Sequence, residues 1–274
     1  MPRRLFPATP SKLAAFSDCP RRYRYAYVDR PTPAKGPAWA HNSMGSAVHA
    51  ALRSWWELPL SKRTAVAARQ LLYGVWSTAG FRDADQSGRW RARAAGWLTD
   101  YVTGLDPADE PVGTERQVAA TTERLALSGR VDRIDQRGDE LVVVDYKTGR
   151  SVCTDDEARG SPALATYVLG VRRTLHRPCS RVELHHLPSG TVAAFEHTDR
   201  SLANHVRRAE DVAADIAAAT AAVDGGEDPD VAFPAVPGRQ CGWCDFRPSC
   251  PVGQAATPAR ETWSFLPEET PAQP

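Results

Sequence analysis

The sequence predicts an α/β fold in which helices flank a mixed central β-sheet. Apolar and aromatic residues recur at helical spacing through the first hundred residues. Two runs rich in β-branched residues, 125–136 and 140–147, then flank the turn dipeptide Gly138-Asp139, a pattern typical of a β-hairpin. A helical stretch separates this hairpin from a second strand pair, so we expect parallel as well as antiparallel pairing.

The N-terminal part of the chain is predicted to be helical as far as about residue 105. Thr9 and Pro10 are a cap and a first-turn residue typical of a helix start. The predicted helices are at 11–28, 43–56, 61–78 and 88–101. A link rich in proline and glycine, at 30–37, ends the first of them. The aromatic residues of the fourth helix follow the helical period, which favours core packing over stacking on bases.

The sheet core is predicted between about residues 112 and 198. Its strands are expected at 115–121, 125–136, 140–147, 181–187 and 191–197, with a helix at 161–175. Asp199 is predicted to cap a long final helix, which leads to a cysteine-rich segment ending at residue 252. We expect residues 1–252 to form one domain. The remaining residues, 253–274, are predicted to be disordered because they offer little apolar surface to bury.

Composition predicts a globular protein without a membrane span. The chain has 274 residues, of which 42% are hydrophobic, enough for a substantial core. No stretch approaches the roughly 18 to 20 uncharged apolar residues of a spanning helix, and no apolar signal core follows the first residues. A cytoplasmic location is the expectation. The net charge is +1, but residues 1–35 carry a local balance of +6, which favours an anionic partner.

The predicted hairpin brings two carboxylates together. With Gly138-Asp139 in the turn, paired residues place Asp132 opposite Asp145. Directly opposed side chains have Cβ atoms only about 4.5 to 5.5 Å apart, where like charges repel. Lys147 lies on the same face of its strand as Asp145 because side chains alternate. We therefore expect a cation at this point.

Two acids and a lysine are the groups that metal-dependent phosphodiester hydrolysis requires. A hard divalent cation, Mg²⁺ or Mn²⁺, is held by carboxylates, activates water and offsets phosphate charge, and a lysine assists attack or stabilises the transition state. A charged hairpin exposed to water is the commoner reason for such a pattern. However, residues 142–144 are all valine, which indicates a strand buried on both faces, where an unneutralised carboxylate is costly.

These residues resemble the core of RecB-like nucleases of the PD-(D/E)XK superfamily, which have a restriction-endonuclease-like fold. The resemblance lies in Gly129-Arg-Val-Asp-Arg-Ile-Asp135, in Val144-Asp-Tyr-Lys-Thr-Gly149 and in the Gly-x-x-x-His motif Gly45-Ser-Ala-Val-His49. It implies metal ligation by His49, Asp132, Asp145 and the Tyr146 backbone carbonyl, with Asp132, Asp145 and Lys147 catalytic. Without the resemblance, a lone histidine such as His49 would more often be a hydrogen-bonded core residue.

Two further positions are compared with the same family. The family has a Gln-hydrophobic-x-x-Tyr motif on the helix after the hairpin, where this chain has Ala163-Leu-Ala-Thr-Tyr167. The glutamine is missing, and Tyr167 either contacts the substrate or only packs. Glu115 on the first strand matches an acidic position of the family, and a surface ion pair is an equally good interpretation.

Four cysteines form a second candidate site. Cys241, Cys244 and Cys250 lie in one short segment, which is typical of metal binding, and spacing alone favours zinc. RecB-like nucleases of the AddB and CRISPR-adaptation type are similar in having one N-terminal and three C-terminal cysteines, which bind a 4Fe-4S cluster. Cys19 matches the N-terminal member. The resemblance thus implies that a cluster joins the two ends of the domain.

The function expected from these features is a DNA nuclease, acting as an exonuclease on single strands in repair or recombination. Arg21, Arg22 and Arg24, interleaved with tyrosines, are candidate substrate contacts, although a packed helix surface explains them equally well. No helicase P-loop pattern is present, so any unwinding would come from a helicase partner. The alternatives are a CRISPR-adaptation nuclease working with an integrase and a non-catalytic DNA-binding module of the same fold.

Overall fold

The computed structural model describes residues 5–266. Its strands are β1 (Phe6–Ala8), β2 (Gly113–Thr121), β3 (Leu125–Arg137), β4 (Glu140–Lys147), β5 (Cys179–His186) and β6 (Thr191–Glu196). Its helices are α1 (Pro10–Asp18), α2 (Pro20–Tyr27), α3 (Ala40–Trp56), α4 (Ala65–Gly74), α5 (Ala84–Thr103), α6 (Asp155–Gly160), α7 (Pro162–Leu175), α8 (Asp199–Asp224), α9 (Pro229–Ala232) and α10 (Pro251–Ala256). In this part of the chain, no helix is long and apolar enough to cross a membrane.

The six strands form one mixed sheet, as the sequence predicts. The pairs β1–β3 and β4–β5 are parallel, and β2–β3, β3–β4 and β5–β6 are antiparallel. Strand β3 pairs with β2 along one side. On its other side it pairs with β1 only at 125–127 and with β4 only at 133–137. Among the described strands, none pairs with residues 128–132 on that side, and this opening is where the candidate site lies.

Helices cover both faces of the sheet. Val142 and Val144 pack with α3, α4 and α5 on one face, while Val143 packs with α7 on the other. All three valines are at most 1% exposed, so the prediction that β4 is buried on both faces is confirmed. A third cluster joins α1 and α8 to the start of β3. Burial on both faces makes β4 a rigid support for the residues at its end.

Several element boundaries differ from the sequence prediction by a few residues, and three of the differences have clear local reasons. The helix predicted at 11–28 is broken at Cys19, which is extended, because Pro20 disfavours helical backbone in the residue before it. The helix predicted at 61–78 is a short 3-10 turn followed by α4, which Thr64 caps. The cap of α8 is Thr198 rather than Asp199, since the Thr198 hydroxyl accepts from the Ser201 amide. Strand β1 was not predicted.

The disorder predicted from residue 253 onward is wrong for residues 253–266. Helix α10 continues to Ala256, and Leu266 is 4% exposed and packs in the core with α3 and α5. Trp263 packs against the same cluster and supplies the apolar surface that makes this order possible. The rest of the predicted tail, 267–274, lies outside the described residues.

Candidate active site

The candidate site lies where β3 and β4 separate. The predicted register is confirmed over five pairs from Arg137 and Glu140 to Arg133 and Val144, and Gly138 in the turn has a φ of 60°. The next pair, Asp132 with Asp145, was expected to continue the ladder, but the ladder ends before it. Instead, the backbone amide of Tyr146 donates a hydrogen bond to Asp132 Oδ2 at 2.9 Å. The strands part because a side chain replaces the ladder carbonyl.

Helix α3 brings His49 to this opening. His49 Nδ1 lies 3.3 Å from Asp132 Oδ2, and His49 Nε2 lies 3.1 Å from the Tyr146 carbonyl oxygen. The imidazole also contacts the edge of the Tyr146 ring, with centroids 5.8 Å apart. These contacts bring together three of the predicted site residues: His49, Asp132 and Tyr146. Asp145, the fourth predicted ligand, has no ligand atom within 4.8 Å of those of both His49 and Asp132, although its charge acts on His49.

Glu115 completes a group that could hold a metal ion. One ligand atom from each of His49, Glu115 and Asp132 lies within 4.8 Å of the others. On β2, Thr114 pairs with Arg133 and Arg116 with Val131, so Glu115 stands opposite Asp132. Its φ of 47° is left-handed, a strained conformation for a residue with a Cβ, and such strain concentrates at functional sites.

Glu115 was expected either to match the acidic position of the family or to form a surface ion pair, and the structure shows features of both. Its carboxylate is 16% exposed and forms an ion pair of 2.7 Å with Arg130, which is 63% exposed. An exposed ion pair contributes little free energy, so the pair alone does not explain a strained backbone at this position. We therefore regard Glu115 primarily as part of the candidate metal site.

Lys147 and Asp145 form the other half of the site. They share one face of β4, as predicted, and their side chains form an ion pair. Asp145 Oδ2 is buried and no donor reaches it in good hydrogen-bonding geometry. Burial raises the pKa of Asp145 and the Asp132 charge adds to this effect, although Lys147 opposes it. A buried carboxylate in this state accepts a further cation readily.

His49 also responds to the surrounding carboxylates. Burial lowers its pKa, but the hydrogen bond and charge of Asp132, with the charges of Asp145 and Glu115, outweigh burial and raise the pKa above its ordinary value. In Lys147, burial likewise lowers the pKa, but the Asp145 carboxylate outweighs it and the pKa is raised. The carboxylates thus make the site strongly negative, and its titratable groups retain their protons. Its ligand atoms suit a hard divalent cation, and such a cation would displace the proton of His49.

The comparison with known families agrees with this donor set. The family model described as the PD-(D/E)XK nuclease superfamily matches residues 7–251 of the chain. The chain belongs to this nuclease superfamily. It is accordingly a metal-dependent nuclease, with DNA as the substrate that membership implies, and its mixed sheet flanked by helices is the restriction-endonuclease-like fold expected from the sequence.

Two solved structures are similar to this nuclease at low identity. A "putative exonuclease" from Eubacterium rectale is 12% identical, with a TM-score of 0.46, over 80% of this chain and 82% of that chain. The protein SSO0001 is 16% identical, with a TM-score of 0.39, over 92% of this chain and 89% of that chain. None of the curated proteins matches the chain.

The site of the nuclease opens into a cleft of about 1500 Å³. Tyr167 lines the cleft and also packs tightly, because a Cβ on Gly129 would lie 2.5 Å from its ring. Both interpretations of Tyr167 are therefore compatible with its position. Burial, followed by the charges of Asp145 and Asp132, raises its pKa to about 12. Ala163, where the family has glutamine, is the second residue of the same helix, α7.

The predicted substrate-contact arginines do not lie in this cleft. Arg21 and Arg24 have side chains only 9% exposed, and both form ion pairs with Asp230, at 3.1 and 2.8 Å. Arg22 pairs with Asp18 at 3.1 Å and lines a different cavity. Arg21 and Arg24 therefore hold α2 against α9, while Arg22 is bound to α1. The cleft has other arginines that the sequence analysis did not single out: Arg53, Arg93, Arg130 and Arg150.

The four predicted cluster cysteines line that second cavity, whose volume is about 420 Å³. Cys19 reaches it because Pro20 breaks the helix there, and its sulfur accepts a hydrogen bond from the Val236 amide at 3.4 Å. The sulfur of Cys250 accepts from the Gly253 amide at 3.4 Å. Among the described cysteines, no three bring their sulfur atoms within 4.8 Å of one another. Cys153 and Cys179 do not line this cavity.

A buried polar network behind Tyr146 was missed by the sequence analysis. Arg133 is 3% exposed, and it donates to the hydroxyls of Tyr101 and Tyr146, at 3.1 and 3.3 Å. On β5, Glu183 and His185 are 2% and 6% exposed and form a hydrogen bond of 2.9 Å. The signal that could have revealed this network is the pair of polar residues two positions apart on each of two strands, Arg133 with Asp135 and Glu183 with His185. Residues two positions apart share one face of a strand.

Glu183 supplies a stability prediction. Burial raises its pKa, but hydrogen bonds from His185, Arg137 and Arg181 outweigh burial and hold the pKa well below its ordinary value. The ionised form therefore stabilises the fold above the unfolded pKa of about 4.3, and this contribution is lost as the pH falls toward the folded pKa. We expect Glu183→Gln to lower the free energy of unfolding by about 3 kcal/mol at pH 7.

Urea unfolding at pH 7 and pH 3.5 checks this expectation, with the exposed Glu123→Gln as control. The difference between parent and Glu183→Gln should shrink at the lower pH, while the control stays close to the parent throughout. A difference that is the same at both pH values would contradict the assignment of an ionised Glu183.

Proposed function

We propose that this nuclease is a DNA exonuclease that acts on single strands in repair or recombination. The observation that carries the proposal is the grouping of His49, Glu115 and Asp132, which line an open cleft, next to the ion pair of Asp145 and Lys147. Hard oxygen ligands, one imidazole and one lysine are a donor set suited to phosphodiester hydrolysis.

We assign metal ligation to His49, Asp132, Asp145 and the Tyr146 carbonyl, with Glu115 as a further carboxylate. A divalent cation such as Mg²⁺ or Mn²⁺, when bound, supplies positive charge against the phosphate and lowers the pKa of water. Asp132 is held by the Tyr146 amide, so its carboxylate is already oriented. Lys147 remains an ammonium near neutral pH because its pKa is raised, and it stabilises charge on the phosphate.

The substrate proposal is supported by the composition of the cleft. Its volume of about 1500 Å³ exceeds that of ordinary small-molecule pockets, which suits a polymer. Along one face of α3, Arg53 lies one turn beyond His49, and Trp97 of α5 lines the same cleft. Cations that contact phosphates and aromatic rings on which unpaired bases stack are the usual means of holding single strands.

Arg150 provides a direct test of the proposed path, by which a single strand runs along the cleft. It is exposed, lies three residues after Lys147 and has no ion pair among the described residues. The adjacent Gly149 carbonyl accepts a hydrogen bond of 2.8 Å from His186, which holds the loop in place. We expect Arg150→Ala to weaken single-strand binding and to reduce the slope of log K against log salt by about 0.7, because one phosphate contact is lost.

Fluorescence anisotropy with a labelled single-stranded oligonucleotide and Ca²⁺ measures this slope. The exposed Arg69→Ala on α4 is a matched control that should leave the slope unchanged. Equal slopes for Arg150→Ala and Arg69→Ala would remove Arg150 from the path.

We further propose that Cys19, Cys241, Cys244 and Cys250 bind a 4Fe-4S cluster. A zinc ion holds its thiolates about 3.8 Å apart, given Zn–S bonds of about 2.3 Å in a tetrahedron. In a 4Fe-4S cluster each thiolate binds a different iron, so the four thiolates lie further apart than around zinc, and all four cysteines line the one cavity of about 420 Å³. The amide hydrogen bonds to Cys19 and Cys250 are also typical of iron-sulfur sites.

The proposal is tested with protein purified without oxygen and with DNA labelled at the 5′ or the 3′ end. We expect stepwise shortening of single strands from one end in Mn²⁺ or Mg²⁺, with slower cleavage of blunt duplex. Internal cuts in a circular single strand would contradict an exonuclease. Binding without any cleavage would instead support the non-catalytic DNA-binding module. Co-purification distinguishes a helicase partner, expected in repair, from an integrase partner, expected in CRISPR adaptation.

A further inference from the structure

We infer that Tyr101 and Arg133 are positioning residues, which fix Tyr146 so that its amide holds the proposed ligand Asp132 and its carbonyl, itself a proposed ligand, lies beside His49. This inference rests on the proposed metal site. Both the amide and the carbonyl of Tyr146 reach that site, through contacts of 2.9 Å with Asp132 and 3.1 Å with His49. Any rotation of its peptide groups would move both ligands at once.

The side chain of Tyr146 lies on the face of the sheet that packs against α3 and α5, opposite the face that carries Asp145 and Lys147, and it is held there by other buried residues. It is 3% exposed, and its hydroxyl accepts from Arg133 Nη1 at 3.3 Å. The ring meets Tyr101 edge to face, with centroids 5.7 Å apart. Arg133 is itself fixed by Asp135 at 2.8 Å and by the Tyr101 hydroxyl at 3.1 Å. The support for Tyr146 thus comes from both β3 and α5.

The hydrogen bonds of this network have one consistent direction. Arg133 can only donate, so the Tyr101 oxygen accepts from it, and the Tyr101 proton is directed at His185 Nδ1, 2.7 Å away. His185 then carries its proton on Nε2 and donates to Glu183, 2.9 Å away. Arg137 closes the chain with two hydrogen bonds of 2.5 and 2.7 Å to Glu183.

A purely stabilising role does not account for this arrangement. Burying a guanidinium and a carboxylate gains little over apolar packing, because desolvation offsets their attraction. The Nε atom of Arg133 is buried without a hydrogen-bond partner, so the network is not fully satisfied. What its remaining hydrogen bonds do provide is a defined orientation of the side chains they join. Outer residues that orient metal ligands in this way typically change metal affinity 10- to 100-fold when they are removed.

The test is Mn²⁺ binding by isothermal titration calorimetry, without DNA, to the full chain and to two variants. Tyr101→Phe removes one oxygen, and Arg133→Met keeps much of the buried side-chain volume. We expect each to bind Mn²⁺ about tenfold more weakly than the parent. Because Tyr101→Phe is conservative, it keeps the test valid if Arg133→Met does not fold.

Arg63→Met is the matched control. Arg63 is also buried, with a side chain 5% exposed, and it lies over the Trp56 ring at 5.3 Å, as Arg133 does at 5.6 Å. It donates hydrogen bonds to the carbonyls of Trp56, Leu58 and Pro107 and to the Glu110 carboxylate, and none of these goes to Tyr146. It should lose stability but keep its Mn²⁺ affinity.

Mn²⁺ affinity equal to that of the parent in both folded variants would overturn the inference, and so would equal weakening in Arg63→Met. Absence of Mn²⁺ binding to the parent would overturn it as well. The proposed function is judged separately by DNA cleavage, so a parent that binds Mn²⁺ and cleaves nothing would refute that proposal alone.

Discussion

Lys147→Met is expected to reduce the rate of DNA cleavage about 10³-fold, the loss typical when a group that stabilises transition-state charge is removed. The methionine has nearly the same length and keeps β4 intact, so the effect reports the ammonium group. Lys147 is the cation paired with Asp145 at the proposed metal site. Single-turnover cleavage with excess enzyme measures the chemical step without interference from product release.

Mn²⁺ binding should survive this substitution, because the ligands remain and a competing positive charge is removed. Lys62→Met is the control, since Lys62 is an exposed lysine outside the cleft. Cleavage by Lys147→Met at the rate of the Lys62→Met control would show that the ammonium has no catalytic part.

Cys19→Ser is expected to remove the brown colour of the protein, with its broad absorbance near about 400 nm, and to lower the stability strongly. Cys19 and Cys241 are separated by 222 positions. A cross-link that closes a loop of this length contributes about 5 kcal/mol in the chain-entropy account. For a chain of this size we therefore expect the Tm to fall by about 10 °C or more.

Cys153→Ser is the matched control because Cys153 lies outside the cysteine cavity. It should keep the colour and most of the thermal stability. Iron and sulfide analysis of anaerobically purified protein accompanies the absorbance measurement. A colourless anaerobic preparation that contains zinc would contradict the iron-sulfur assignment.

The sequence predicted the hairpin well because its information is local. β-branched residues and the turn at Gly138 specify the β3–β4 register, and alternation specifies that Asp145 and Lys147 share a face. The point at which the ladder ends was not predictable from this pattern. It depends on a tertiary contact, the hydrogen bond from the Tyr146 amide to Asp132.

The arginines that line the cleft were not predictable from the sequence, because distant contacts decide which arginines reach the cleft. Alternating arginines and tyrosines at 21–27 have the composition of a nucleic-acid contact, but Asp230, more than 200 residues away, pairs with two of these arginines. The cleft arginines are spread over α3, α5, β3 and the loop after β4, and only the fold brings them together. Helical order in 253–256 and the buried Leu266 likewise depend on distant core contacts.

Whether the proposed metal site carries the chemistry is decided by cleavage of end-labelled single-stranded DNA by the parent and by Asp145→Ala, each with Mn²⁺ and with excess EDTA. The expected result is cleavage only by the parent and only with the metal, since Asp145 is a proposed ligand and the buried partner of Lys147. Equal activity of the parent and Asp145→Ala in Mn²⁺, or undiminished cleavage in EDTA, would contradict it.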